Sequence, residues 1–194
     1  MGKVFEDGID ERMTAWIARQ RLFFVATAPS DGGHVNVSPK GPIETLRILG
    51  PDRVAYLDRI GSGAETAAHL RDDARITIML CAFEGPPRIV RLHGRGTFVA
   101  ADDPAFDERL AETGLASLDL PEANRAIVDV AVDRVSDSCG YGVPLMVYEG
   151  QREQTERWVS TKLRKEGPDA MRRYVEERNA TSIDGLPAFD VVRR

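Results

Sequence analysis

A chain of 194 residues, 42% hydrophobic and 29% charged, has room for one sizeable core and the make-up of an ordinary soluble globular protein. Its net charge of −5 excludes the basic excess of a general nucleic-acid binder. The longest apolar run, within residues 76–83, is far too short to cross a bilayer, and the acidic start MGKVFEDGIDERM lacks the pattern of a secretion signal, so no membrane partner and a cytoplasmic location are expected.

Ile9, Met13, Trp16 and Ile17 share a face at helical spacing, which predicts an amphipathic helix over 9–20. LFFVATA (22–28) reads as a buried strand and PSDGG (29–33) as a turn. HVNVSPK (34–40) alternates, with Val35 and Val37 on one face and Asn36 and Ser38 on the other. Pro39 ends that strand or puts it at a sheet edge. Residues 45–50 and 53–58 flank Pro51-Asp52 as a hairpin would. AETAAHLRD (64–72) favours helix.

Two long strands follow, 75–83 and 88–100, separated by EGPP. Gly94 and Gly96 inside the second predict a bend or bulge. A short helix over 103–114 and an alternating strand over 126–137 come next, then two charged amphipathic helices over 151–166 and 168–178. Six or seven strands with short connections and one interposed helix predict a mainly β fold with peripheral helices, a small antiparallel barrel. The expected division is a barrel over 1–150 and a helical extension over 151–194. The extension either meets a partner or caps the barrel, and capping is expected because isolated helices this short are marginal. Cys81 lies in an apolar run and reads as a buried core residue, while Cys139 in SCGYG reads as more exposed. Neither has metal-ligand spacing, and a disulfide between them is not expected.

The chemistry concentrates where a strand hands over to a helix, in YLDRIGSGAET (56–66). Gly61-Ser62-Gly63 is either a plain turn or a cradle, since glycines let backbone N–H groups approach an anion and a helix start adds more of them. It is neither a Walker A loop nor GxGxxG. Asn36, Ser38 and Lys40 offer amide, hydroxyl and ammonium groups, or simply form a solvated strand face. Arg91, between Val90 and Leu92, either grips an anion or pairs with Asp58 or Glu65. His34, His69 and His93 have no metal-ligand spacing. No catalytic residue and no metal site is nominated.

In their order, VNVSPKG, then RVAYLDRIGSGAETAAHLRDDARITIMLCAF, then RIVRLHGRG resemble the pyridoxamine 5′-phosphate oxidase-like superfamily, and within it a bacterial branch of oxidase-related proteins. CGYGVPLMVYEGQRE and RNATSIDGLPAFD look like the same branch. The resemblance implies a split β-barrel homodimer with FMN in a groove between subunits. It implies that Asn36, Val37, Ser38 and Lys40 contact the flavin, with Ser62, Gly63, Glu65 and Thr66 at the phosphate end and Asp58 and Arg91 as further cofactor-binding candidates. The Ser-Arg-Lys run of the oxidase proper is replaced here by Gly63-Ala64-Glu65-Thr66, so Lys40 or Arg91 would supply the missing positive charge. The implied activity is hydride transfer between a small organic substrate and flavin N5, not oxidation of pyridoxamine phosphate itself. The alternative is a non-catalytic binder or store of flavin, haem or the deazaflavin F420.

Overall fold

The computed structural model describes residues 2–115 and 120–190; the last four residues of the expected extension lie outside them. Helix α1 (Glu11–Ile17) starts at a local signal: the Asp10 carboxylate accepts from the Met13 N–H at 2.7 Å. It is shorter than its apolar spacing predicts. After Ile17 the bonds tighten to the i→i+3 type, from Arg19 to Trp16 and from Gln20 to Ile17.

The strands are β1 (Lys3–Phe5), β2 (Phe23–Thr27), β3 (Asn36–Lys40), β4 (Leu46–Gly50), β5 (Arg53–Arg59), β6 (Arg75–Cys81), β7 (Ile89–Ala100) and β8 (Asn124–Ser138). They form one antiparallel sheet in the order β3-β2-β6-β7-β8-β5-β4, with β1 paired to the far end of β8. That makes eight strands rather than six or seven. The extra one, β1, has three residues, too few to show any periodicity. Gly94 sits at a bulge of β7 against β8, where a Cβ would collide with the carbonyl oxygen of Ala131.

The sheet is rolled. Phe23 on β2 and Tyr56 on β5 stand four strand steps apart along it, about 19 Å at ~4.8 Å per step. Their rings nevertheless meet edge to face at 5.5 Å. One apolar cluster fills the inside, drawing Val25, Leu46, Val54, Ile78, Leu92 and Val130 from six strands. The free edges β3 and β4 are not joined by a ladder. The protein is thus mainly β with peripheral helices, an open-seamed barrel of the split type.

Helices cover the outside. α2 (Glu65–Asp72) follows β5, and α3 (Phe106–Thr113) lays Phe106 and Leu110 on Leu57 and Ile127. α4 (Gln154–Glu166) and α5 (Ala170–Arg178) bury Val159, Ala170 and Met171 against Ile60 and Ala123. The segment after α5 packs Ala188 and Phe189 on Ala64, Ala67 and Ala68. Among the described residues no helix is long and apolar enough to cross a membrane.

Candidate functional site

Strand β3 is turned opposite to the usual sense: Val35 and Val37 are 70% and 60% exposed, while Asn36, Ser38 and Lys40 point inward across the seam. Ser38 Oγ donates to Asn36 Oδ1 at 2.9 Å, and Asn36 Nδ2 donates to Thr66 Oγ1 at 3.2 Å. Thr27 Oγ1 joins this chain and is 2.9 Å from Nδ1 of the fully buried His69. Lys40 Nζ reaches Asp58 Oδ1 on β5 at 2.6 Å.

Asp58 is 3% exposed and holds a second cation. Arg125 donates to Asp58 Oδ2 through Nε at 2.9 Å and Nη2 at 2.6 Å, and its Nη1 reaches the carbonyls of Gly61 and Gly63. The cause lies in the ladder. β5 and β8 pair Asp58 with Ala126 and Arg59 with Asn124, so Arg125 is the unpaired extra residue of a β-bulge. A bulge re-aims a side chain, and this one turns arginine onto the buried carboxylate.

Burial alone would raise the Asp58 carboxyl; Arg125 and Lys40 outweigh it and hold its pKa at about 2, below the ordinary 3.8. A folded-state value below the unfolded one gives stability that is complete above about pH 4 and lost as pH falls through about 2. The size is about 2 kcal/mol. Acid unfolding followed by circular dichroism is expected to show this loss in the native chain. Asp58→Asn, less stable at neutral pH, is expected to lack that part of the slope.

The glycine turn is held from behind. The Gly61 and Ser62 carbonyls accept from Asn179 Nδ2 at 3.1 and 3.2 Å, in addition to the bonds from Arg125. With the carbonyls so engaged, the seven N–H groups of residues 61–67 find no protein acceptor among the described residues. α2 has no side-chain cap. Its Glu65 carboxylate instead accepts from the Ile183 N–H at 3.3 Å.

These groups surround a groove of about 340 Å³, lined by Ser38, Lys40, Gly61, Gly63, Glu65, Thr66 and Arg125, together with Arg59 and Thr155. Arg59 meets Glu156 of α4 at 2.6 Å, and its Nε and Nη2 are buried without partners. The structure therefore brings Lys40, Asp58, Gly63, Glu65 and Thr66 together, with Asn36, Ser38 and the Ser62 backbone adjoining. Val37 faces outward. Arg91 is not among the lining residues: it donates to Ser138 Oγ at 3.1 Å, pairing with neither Asp58 nor Glu65. Sequence reasoning missed Arg125, Arg59, Thr27 and Asn179. The strand expected from 126 began one residue too late to include Arg125, and only the register reveals its direction. Cys81 is buried and Cys139 exposed, both free. Among the described residues no group of three or more His, Cys, Asp or Glu side chains could hold a metal ion.

Three comparisons bear on this arrangement. The sequence pattern described as pyridoxamine 5′-phosphate oxidase matches residues 9–139. The pyridoxamine 5′-phosphate oxidase family protein ustO of Aspergillus flavus is 36% identical over 201 aligned positions, spanning 98% of this chain and 80% of that protein. Among solved structures, the H111A form of HupZ from Group A Streptococcus superposes with a TM-score of 0.50 at 20% identity, covering 67% of this chain and 99% of that one. That likeness concerns the fold alone. A FAD-binding protein from Mesorhizobium loti is more distant, with a TM-score of 0.43 at 11% identity over 71% of this chain and 96% of that one.

Proposed function

The chain belongs to the pyridoxamine 5′-phosphate oxidase family, and from that premise we propose that it is a flavoprotein that binds FMN by its phosphate in the Lys40–Arg125 groove and acts as an oxidoreductase. One observation carries the reading: of the unclaimed backbone N–H groups over residues 61–67, those of Gly61, Gly63, Glu65 and Thr66 belong to residues that line the groove, beside two cations that share one carboxylate. One carboxylate cannot neutralise two cations, so Asp58, Lys40 and Arg125 together keep a positive charge that suits a phosphate dianion.

The residues have distinct tasks. Lys40, only partly buried, donates to the phosphate. Arg125 holds the Gly61 and Gly63 carbonyls back, so that the adjoining N–H groups are free to donate. The Ser38 and Thr66 hydroxyls orient the ribityl side. At about 340 Å³ the groove is at the small end of small-molecule sites. It suits the phosphate end; the ring would lie outside it, where a second copy of the chain, docked on exposed Val35 and Val37, would close the groove. Exposed Tyr141, Leu145, Met146 and Val147 supply further apolar surface for such a homodimer. The barrel over 1–150 carries the site and the extension over 151–194 closes its margin through Thr155 and Glu156. Bound flavin supplies hydride chemistry toward a small organic substrate. Haem fits less well, because among the described residues no His, Cys, Met or Tyr lines the groove as an axial ligand. F420, with its longer acidic tail, needs more cations than the groove offers.

The test is titration of the purified full chain with FMN, followed by flavin fluorescence. Micromolar affinity is expected. Lys40→Ala is expected to weaken it roughly 10- to 100-fold, the worth of one charge-assisted hydrogen bond. Glu65→Gln, which removes a negative charge from the groove lining, is expected to tighten it. Absence of saturable FMN binding sinks the reading. Bound flavin that is not reduced by NAD(P)H, nor reoxidised by oxygen or quinones once reduced, would leave a store rather than an oxidoreductase.

A further inference from the structure

The chain returns to the glycine turn from its far end. Asn179 closes α5, where its backbone N–H donates to the Val175 carbonyl at 2.8 Å and its carbonyl accepts from the Phe189 N–H at 3.2 Å. It is fully buried. Its side-chain amide is used at one end only: Nδ2 donates to the Gly61 and Ser62 carbonyls, while Oδ1 is buried without a partner. An unmet buried oxygen is costly, so the asparagine is of use here only through its donor half.

That donor sets the direction of two peptide units. In a trans peptide the N–H points away from the C=O, and the bonds of this turn are trans. Holding the Gly61 carbonyl turns the Ser62 N–H to the opposite side. Holding the Ser62 carbonyl does the same for the Gly63 N–H. Arg125 shares the Gly61 carbonyl and also holds that of Gly63, which directs the Ala64 N–H. The Ser62 carbonyl has no donor but Asn179 among the described residues. Three carbonyls thus converge on two donor nitrogens, and three successive N–H groups are left on the other side, the arrangement of an anion-binding concavity. Ser62 and Gly63 are exposed, and Gly63 lines the groove. The segment after α5 is tied on both sides of it. Asp184 accepts from the His34 N–H at 2.8 Å just ahead of β3, and the Ile183 N–H donates to Glu65 of α2.

We propose that Asn179 is a positioning residue that makes the groove specific for a phosphorylated flavin over the same flavin without its phosphate. This role presupposes that the groove holds FMN by its phosphate. Asn179 touches no ligand; it keeps the Ser62–Gly63 peptide unit turned so that its N–H joins those of Ser62 and Ala64 on the phosphate. Riboflavin ends in a neutral hydroxyl, which gains little from a row of donors.

The full chain, labelled with ¹⁵N, is titrated with FMN and with riboflavin. FMN is expected to bind at least tenfold more tightly and to move the Ser62, Gly63 and Ala64 amide protons downfield. The Asn179 side-chain amide protons are expected to follow on the same saturation curve, because a carbonyl whose peptide N–H is bonded to an anion becomes a stronger acceptor. Riboflavin is expected to leave all of them in place. Asn179→Leu, which keeps the volume and removes the donor, is expected to lower FMN affinity at least tenfold and riboflavin affinity less than twofold. A loss of packing alone lowers both alike. Failure of FMN to saturate the native chain sinks the phosphate reading and this role with it. The role alone is overturned if FMN saturates without moving Gly63 and the Asn179 side chain, if it binds no tighter than riboflavin, or if Asn179→Leu loses both flavins equally or neither. Should Asn179→Leu fail to fold, the Asn179 side-chain protons of the native chain decide.

Discussion

Arg125→Met is expected to cost about 3–5 kcal/mol in urea unfolding, the loss typical of breaking a buried ion pair from one side. Methionine keeps much of the stem volume and removes the fork. Asp58 then stays buried with Lys40 alone, and the Gly61 and Gly63 carbonyls lose a donor. The guanidinium also stacks 5.0 Å from the Phe189 ring, so the C-terminal segment loosens as well. The same change is expected to weaken flavin binding, since the glycine turn then keeps only its bonds from Asn179. A loss below 1 kcal/mol would mean that Asp58 and Arg125 are hydrated in solution, and the account of the bulge would fail with it.

Phe23→Ala is expected to destabilise by a comparable amount, about 3–5 kcal/mol. Phe23 is fully buried, and its ring edge meets Tyr56 across the interior of the rolled sheet. Truncation opens a void between β2 and β5, which are not neighbours in the sheet, so directly across the interior they are joined by side chains. Ile183→Ala, at an exposed side chain after α5, is the control and is expected to change stability by less than about 0.5 kcal/mol. Thermal unfolding of both variants checks the pair. Equal, small effects would show that the sheet is flatter than described.

Much of the fold could be read along the chain because local chemistry sets it. Apolar runs mark β2 and β6 and alternation marks β8; the glycines of β7 mark its bulge; the spacing of Trp158, Val159 and Leu163, then Met171, Tyr174 and Val175, marks α4 and α5. What could not be read depends on register. The two faces of β3 were separable in the sequence, yet which one turns inward is decided by pairing with β2, where Val25 opposite Ser38 is buried. Lys40 and the glycine turn were visible as candidates from residue type alone. Arg125 was not, because an arginine at the head of an apolar strand looks like a solvated end until a one-residue slip in the ladder turns it inward. Arg91 shows the reverse case: its position between Val90 and Leu92 put it correctly on the other face of β7, but that face leads to Ser138.

The outermost strand has one further consequence. β3 is bonded to β2 along one side only, and Pro39 lies in its middle without an N–H to offer. Its missing donor sits on the unpaired side, so no fourth-party backbone can zip onto that border and extend the sheet indefinitely. At this border another molecule meets side chains rather than a free ladder, and the proline at the rim is a safeguard against fibres.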